Sequence, residues 1–138
     1  MDNNKYHLEI ISPRHVVFKG EVESFTAPGA SGSFQILKNH TAYISSVLIG
    51  EVKIRHTDGY DEIYATSGGF VEVEHNKVTF LAETCEKVSS IDLIRAQESY
   101  ERARKRLEDR SSYDPERSRQ ALLRSRNRLR LAEKYNKQ

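Results

Sequence analysis

With 138 residues, 37% of them hydrophobic and 30% charged, the chain can bury one modest core and little more. One cysteine, Cys85, excludes a disulfide framework and any paired-cysteine zinc or redox motif. No apolar run approaches the ~20 residues of a membrane span, and the opening MDNNKYHLEI lacks the apolar stretch of a signal peptide. A soluble protein of a reducing compartment is expected, one that meets a membrane only through a partner.

The net charge of +2 hides an asymmetry. Residues 1–90 hold 8 Lys/Arg against 12 Asp/Glu, a balance of −4, whereas residues 91–138 hold 14 against 8, a balance of +6. Composition changes at the same place, because no glycine follows Ser90 and arginine becomes dense. The reading is α+β in two domains: residues 1–88 as an antiparallel β-sandwich of about ten strands, and 89–138 as an antiparallel α-helical hairpin.

Strand candidates open the chain at Tyr6–Ile11, His15–Gly20 and Glu21–Ala27, then Ser33–Leu37, Thr41–Ile49 and Glu51–Thr57. Tyr60–Ser67, Phe70–Glu74 and Lys77–Glu83 complete the set. Spacing of about ten residues with turn signals between is the mark of a sandwich or barrel. Asp58-Gly59 reads as a two-residue primed hairpin turn, and His75-Asn76 as a second. In FVEVE, Phe70, Val71 and Val73 compete for the inner face while Glu72 and Glu74 face water. Gly29, Gly32 and Gly68-Gly69 read as turns between strands, since they fit no phosphate-binding loop.

Ser89 and Ser90 offer N-caps for a first helix, with Asp92 in its first turn. Ala96, Tyr100, Ala103 and Leu107 recur at helical spacing up to about Arg110. After a short turn (Ser111 to Asp114), Asp114 caps a second helix with Pro115 at its first position. There Ala121, Leu122, Ser125, Leu129 and Ala132 share a face. Arg117, Arg124 and Arg128 line one flank of it, and Arg119, Arg126 and Arg130 the other. Both seams use small residues, so at roughly 25 cal/mol per Å² the pairing is weak and the hairpin can open.

Catalytic signatures are missing. The five histidines are scattered without metal-ligand spacing, no nucleophile elbow occurs, and Cys85 reads as a small buried residue. The expectation is a protein that is not itself an enzyme, with no metal site and no required cofactor. An Arg-rich hairpin is also a plausible phosphate-backbone reader. That alternative, a nucleic-acid-binding module, lacks an aromatic stacking platform and carries an acidic sandwich that repels polyanions, so no nucleic-acid partner is expected.

Three segments in fixed order narrow the reading: GSFQILKNH (Gly32 to His40), SGGFVEV with NKVTFLAET (Ser67 to Val73, Asn76 to Thr84), and IDLIRA (Ile91 to Ala96). With the Arg-rich segment ending RNRLRLAEK, they resemble the epsilon subunit of bacterial F-type ATP synthases over essentially the whole chain. The resemblance implies a central-stalk rotor subunit at the cytoplasmic face of the bacterial plasma membrane, attached peripherally. Its sandwich would bind the gamma subunit and the c-ring. Its hairpin would extend toward the catalytic beta and alpha subunits and inhibit ATP hydrolysis.

The resemblance also assigns residues. Ser33, Lys38, Asn39 and His40 would touch the c-ring, although Ser33, Gln35 and Lys38 depart from the family's usual acidic residue, glycine and proline. Arg117, Arg119, Arg124, Arg126, Arg128 and Arg130 would make the inhibitory contacts with an acidic loop, while Glu116 and Glu133 compete for some of them. IDLIRA matches a motif by which some members hold ATP as a regulatory ligand. Carried over, the candidates are Glu86, Ile91, Asp92, Arg95, Ala96 and Arg102, with Arg124 and Arg128 from the second helix. Several guanidinium groups would surround the triphosphate, with Asp92 and Glu86 accepting from the nucleoside. The competing reading makes Asp92 a helix-end residue paired with Arg95.

Overall fold

The computed structural model describes residues 4–109 and 113–136. Strand β1 is Tyr6–Ile11, β2 Val16–Gly29, β3 Gly32–Ile36 and β4 Tyr43–Val47; β5 is Gly50–His56, β6 Asp61–Glu74 and β7 Lys77–Lys87. Helix α1 is Leu93–Glu108 and α2 Pro115–Tyr135. The chain divides into two compact units, Met1–Glu86 and Lys87–Gln138.

The first unit is a β-sandwich. Its sheet runs β1-β7-β6-β5-β2-β3, with β4 beside β6 and a further β1–β2 pairing that closes the ring. β1 runs parallel to β7, whereas β1–β2, β2–β3, β2–β5, β4–β6 and β5–β6 are antiparallel. Among the described residues seven strands replace the nine expected from sequence, because two of them are long enough to serve both layers. β2 absorbs the His15–Gly20 and Glu21–Ala27 candidates and passes from β1 to β3 along one edge. β6 absorbs Tyr60–Ser67 and Phe70–Glu74, pairing with β5 over Asp61–Thr66 and with β4 over Gly69–Val73.

Gly68 and Gly69 sit at that change of partner, so they bend a strand rather than link two strands. Gly68 has φ +111 and Gly69 φ +152, and a Cβ on Gly69 would run into the Leu81 carbonyl oxygen. Only glycine satisfies both the backbone angle and the close approach of β7.

The core fills the space between the layers with Leu8, Ile10, Val22, Phe25, Ile36, Ile54, Tyr64, Val71, Val78 and Phe80. The competition in FVEVE resolves in favour of the valines: Val71 and Val73 are buried, whereas Phe70 is 62% exposed. Two buried hydroxyls find partners. Tyr6 donates to the Ile36 carbonyl at 2.6 Å, and Tyr64 to Glu62 Oε1 at 3.0 Å. Burial raises both phenols well above the usual tyrosine range, and for Tyr64 the Glu62 charge adds to it.

The turns follow their residues closely. His75 and Asn76 both have positive φ, 47° and 59°, as a two-residue primed turn requires. The Asp58-Gly59 hairpin differs: Gly59 N donates to the His56 carbonyl and His56 N to the Tyr60 carbonyl, both at 2.9 Å. Three residues therefore bridge the strands, with Gly59 alone at positive φ (+93). Such three-residue loops place glycine in the left-handed region at their last position.

The second unit begins with a 3₁₀ turn, Val88–Ser90. Ser89 and Ser90 belong to that turn and do not cap the helix. Asp92 is the N-cap of α1, its Oδ1 accepting from Arg95 N at 3.2 Å. Asp114 caps α2 as expected, accepting from Glu116 N at 3.0 Å ahead of Pro115. The stripe on α1 holds, with Ala96 and Ala103 buried and Tyr100 and Leu107 half-buried. On α2 the buried residues are Ser118, Ser125, Asn127, Leu131 and Ala132. Of the face expected there, Ser125 and Ala132 are buried while Ala121, Leu122 and Leu129 are half-buried. Asn136 closes the unit, donating to the Val88 carbonyl at 2.7 Å and the Ile91 carbonyl at 3.2 Å. This places the end of α2 beside the start of α1, the antiparallel arrangement of a hairpin. Arg110, the expected end of the first helix, and Ser111 and Ser112 of the expected turn lie outside the described residues.

Candidate functional site

Within the sandwich, β3 separates the residues that the sequence grouped as a contact foot. Ser33 is exposed next to the β2–β3 turn, paired with Pro28. Ile36, near the other end of β3, pairs with Phe25. At roughly 3.3 Å per residue the three strand steps from Ser33 to Ile36 span about 10 Å, and Lys38 follows beyond that end. The structure therefore places Ser33 at one end of the strand and the Lys38–His40 turn beyond the other.

That turn is firmly held. His40 N donates to the Leu37 carbonyl at 3.2 Å, and Asn39 adopts φ +67. Asn39 N donates to Asn76 Oδ1 at 2.6 Å, and Asn76 Nδ2 donates back to Asn39 Oδ1 at 3.0 Å. Two distant turns are thereby locked together, with His40 packed on Tyr43 at 5.4 Å between ring centroids. Local sequence marks Asn76 only as a turn residue. Its role in holding Asn39 depends on a contact across 37 positions of chain, which no local pattern reports.

The helical unit carries the nucleotide candidates apart from Glu86, which belongs to the sandwich unit at the end of β7. Ile91 and Ala96 are 5% and 1% exposed. Both are packing residues. Asp92 is engaged as the cap of α1 through a backbone amide; the Arg95 guanidinium is not its partner in that bond. Arg95 and Arg102 are exposed on α1 and Arg124 on α2, with Arg128 half-buried. Arg102 shares a shallow surface depression with Glu98, Glu101 and Lys105. Arg124 lines a different cavity of about 470 Å³ with Arg106 and Arg117, floored by Ser118 and Ala121. The Arg106 guanidinium lies over the Tyr113 ring at 5.7 Å. Arg106 is absent from the sequence-derived set. Its place in the Arg-dense tail was visible, but its neighbourhood with Arg117 requires the helices to pair.

Of the basic residues on α2, Arg119 forms an i,i+3 pair with Glu116 at 3.0 Å, which holds the Glu116 carboxyl below its usual range. Arg130 donates to Asn127 Oδ1 at 3.1 Å. Arg117 and Arg126 are exposed. The expected competition from Glu116 is therefore real, and it falls on Arg119. Among the described residues no group of three or more His, Cys, Asp or Glu is placed to hold a metal ion, and no helix is long and apolar enough to cross a membrane.

Residues 5–88 match the family described as "ATP synthase, Delta/Epsilon chain, beta-sandwich domain". Residues 89–133 match "ATP synthase, Delta/Epsilon chain, long alpha-helix domain". The chain belongs to the ATP synthase delta/epsilon family. It is 38% identical over 135 residues to the ATP synthase epsilon chain of Syntrophomonas wolfei, covering 97% of this chain and 98% of that one. The epsilon chain of Desulfitobacterium hafniense is 47% identical over 121 residues, covering 87% and 90%.

The fold is similar to that of chains in solved structures. A chain of the Euglena gracilis mitochondrial ATP synthase, in an OSCP/F1/c-ring structure, superposes with a TM-score of 0.77 at 18% identity, over 92% of this chain and 82% of that one. A chain of the Tetrahymena thermophila mitochondrial ATP synthase central stalk and c-ring gives 0.59 at 17% identity, over 99% and 100%. As an epsilon-type chain it is a non-catalytic subunit of the F-type ATP synthase central stalk.

Proposed function

We propose that this subunit joins the gamma subunit to the c-ring through its sandwich and restrains ATP hydrolysis through its two-helix unit. The observation that carries the reading is the seam between α1 and α2. On the shared face α1 presents buried Ala96 and Ala103 with half-buried Tyr100 and Leu107, and α2 presents buried Ser118, Ser125 and Ala132 with half-buried Ala121, Leu122 and Leu129. The fully buried positions of that face are all alanine or serine, which gives little apolar area to hold two helices of 16 and 21 residues together. A hairpin so closed can open, and its arginines then meet an acidic partner surface on the catalytic beta and alpha subunits. Attachment to the cytoplasmic face of the membrane then comes through the complex.

Two measurements test this. ATP hydrolysis by the assembled complex should rise when residues after Ser90 are removed, and unchanged hydrolysis overturns the inhibitory role. For the c-ring, cysteines placed at Ser33 and at His40 in turn should separate the two ends of β3, the buried Cys85 leaving the introduced thiol as the accessible one. No product with the c-subunit from either position removes the foot.

Regulation by ATP is the finer part of the proposal. It rests on the IDLIRA resemblance and on arginines spread along both helices. With Ile91 and Ala96 packed and Asp92 serving as a cap, Arg95, Arg102, Arg124 and Arg128 would supply the phosphate donors, and Glu86 a nucleoside contact. Bound ATP would then stabilise the closed hairpin by mass action and relieve inhibition. Calorimetric titration of the full chain with MgATP and with free ATP should give heat that Arg95→Ala removes. Absence of heat up to millimolar nucleotide refutes it.

A further inference from the structure

A groove runs along β2 on the outer face of the sandwich, and its shape follows from the register. Thr26 pairs with Gln35 on β3 and with Lys53 on β5, so these side chains form one row across strands about 4.8 Å apart. Ser24, two residues and about 7 Å back along β2, faces the same way. It pairs with Arg55 of β5, which in turn stands opposite Asp61 of β6. The central strand thus offers short hydroxyl side chains where its neighbours offer long ones. The result is a cavity of about 530 Å³, floored by Ser24 and Thr26 and walled by Gln35, Leu37, Lys53 and Arg55. The walls shelter the floor: Ser24 is polar and faces outward, yet it is only 7% exposed. Cavities of roughly 300–1,000 Å³ hold small molecules.

Charge is distributed unevenly along this groove. Arg55 donates to both Asp61 oxygens, at 2.8 and 3.0 Å, which commits the guanidinium toward β6. The Glu23 charge also falls on Arg55, so the carboxylates of the lining are matched at that end. Lys53 acts on Asp61 as a neighbouring charge, both oxygens of that carboxylate being taken up by Arg55. The row of Gln35, Thr26 and Lys53 contains no carboxylate. It presents an amide, a hydroxyl and an ammonium, all able to donate, and one positive charge. Donors of this kind gathered around a cation suit an oxyanion.

We propose that this groove binds the phosphate group of a small molecule. The oxyanion lies over Thr26 between Gln35 and Lys53, and an organic body, where the ligand has one, lies over Ser24 beside Leu37. Only sandwich residues take part, so the site stands independently of the stalk reading and of the arginines on the helices.

The test is an amide NMR titration of the full chain with inorganic phosphate and with glucose 6-phosphate at constant ionic strength, chloride serving as the control anion. Saturable shifts at Thr26, Gln35 and Lys53 are expected at millimolar ligand. Tighter binding of the ester shows that its body enters the groove, whereas equal affinity assigns the site to free phosphate. Lys53→Gln should weaken binding about tenfold, and Gln35→Leu, which keeps the wall but removes the amide, severalfold. Lys19→Gln removes the same charge from an exposed position farther along β2 and should leave the affinity unchanged. Spectra as dispersed as that of wild type show that the variants fold. Shifts that fail to saturate, that chloride reproduces, or that fall on the arginine-rich helices alone overturn the proposal. Wild-type affinity in Lys53→Gln overturns it as well.

Discussion

Replacing Gly69 with alanine separates two costs that glycine normally combines. Gly69 and Gly32 both have positive φ, +152 and +116, so alanine at either site meets an unfavourable backbone conformation worth about 1–2 kcal/mol. At Gly32 an added Cβ has nothing within 4 Å. At Gly69 it strikes the Leu81 carbonyl oxygen and comes within 2.9 Å of Ala82 Cα, both main-chain atoms of the neighbouring strand. Backbone cannot swing away as a side chain does, so β7 must move off β6 or the bend must open, at a further cost of about 2 kcal/mol. Gly32→Ala should therefore cost about 1–2 kcal/mol and Gly69→Ala about 3–4 kcal/mol. Urea unfolding of the full chain, followed by tyrosine fluorescence, compares the two at equal slope. A Gly69→Ala variant no less stable than Gly32→Ala would refute the close approach of β6 and β7 as the reason for the glycine pair.

Three further outcomes follow from the same geometry. Burial, with the neighbouring Glu86 charge, pushes the Cys85 thiol up to about 12, so the native chain should resist iodoacetamide at pH 8 and react on unfolding; rapid native labelling would contradict the packing. Arg55 donates to both oxygens of Asp61, at 2.8 and 3.0 Å, and holds that carboxyl below its ordinary 3.8. A lowered carboxyl stabilises the fold above the unfolded-state value and stops doing so as pH falls toward the folded one. The advantage of wild type over Asp61→Asn should thus be present at neutral pH and fade below about pH 4 in denaturant titrations; a difference constant with pH would dismiss the pair. Asn136→Ala removes both bonds to the Val88 and Ile91 carbonyls and should cost about 1–2 kcal/mol, seen as faster hydrogen exchange in the last turn of α2. Exchange as slow as in wild type would show that the side chain does not hold the hairpin shut.

Local chemistry made most of the architecture legible in the sequence. Alternation in Tyr6–Ile11 and Lys77–Glu83, the left-handed preference of Asn76, Asp114 ahead of Pro115, and the break at Ser90 are all short-range signals. Each is set by the chain's own sterics and hydrogen bonding within a few residues. They sufficed for a sandwich and a hairpin; the family came from the resemblance carried by GSFQILKNH, SGGFVEV, NKVTFLAET and IDLIRA.

Tertiary structure decided what depends on meeting across distance. The sequence divides β2 and β6 into pieces because Gly20 and Gly68-Gly69 look like punctuation; continuous pairing along each strand joins them, since the ladder bonds are made by neighbours and not by the residue itself. Phe70 outranks Val71 in size, yet faces water because the register that buries Val71 and Val73 admits no third inward residue beside them. Ser89 loses the cap to Asp92 because a 3₁₀ turn intervenes, and Ser33 parts from His40 because β3 runs straight between them. Residue type and spacing determined which elements form. Which side chains meet, and which remain outside for a partner, was settled only when the strands found their neighbours.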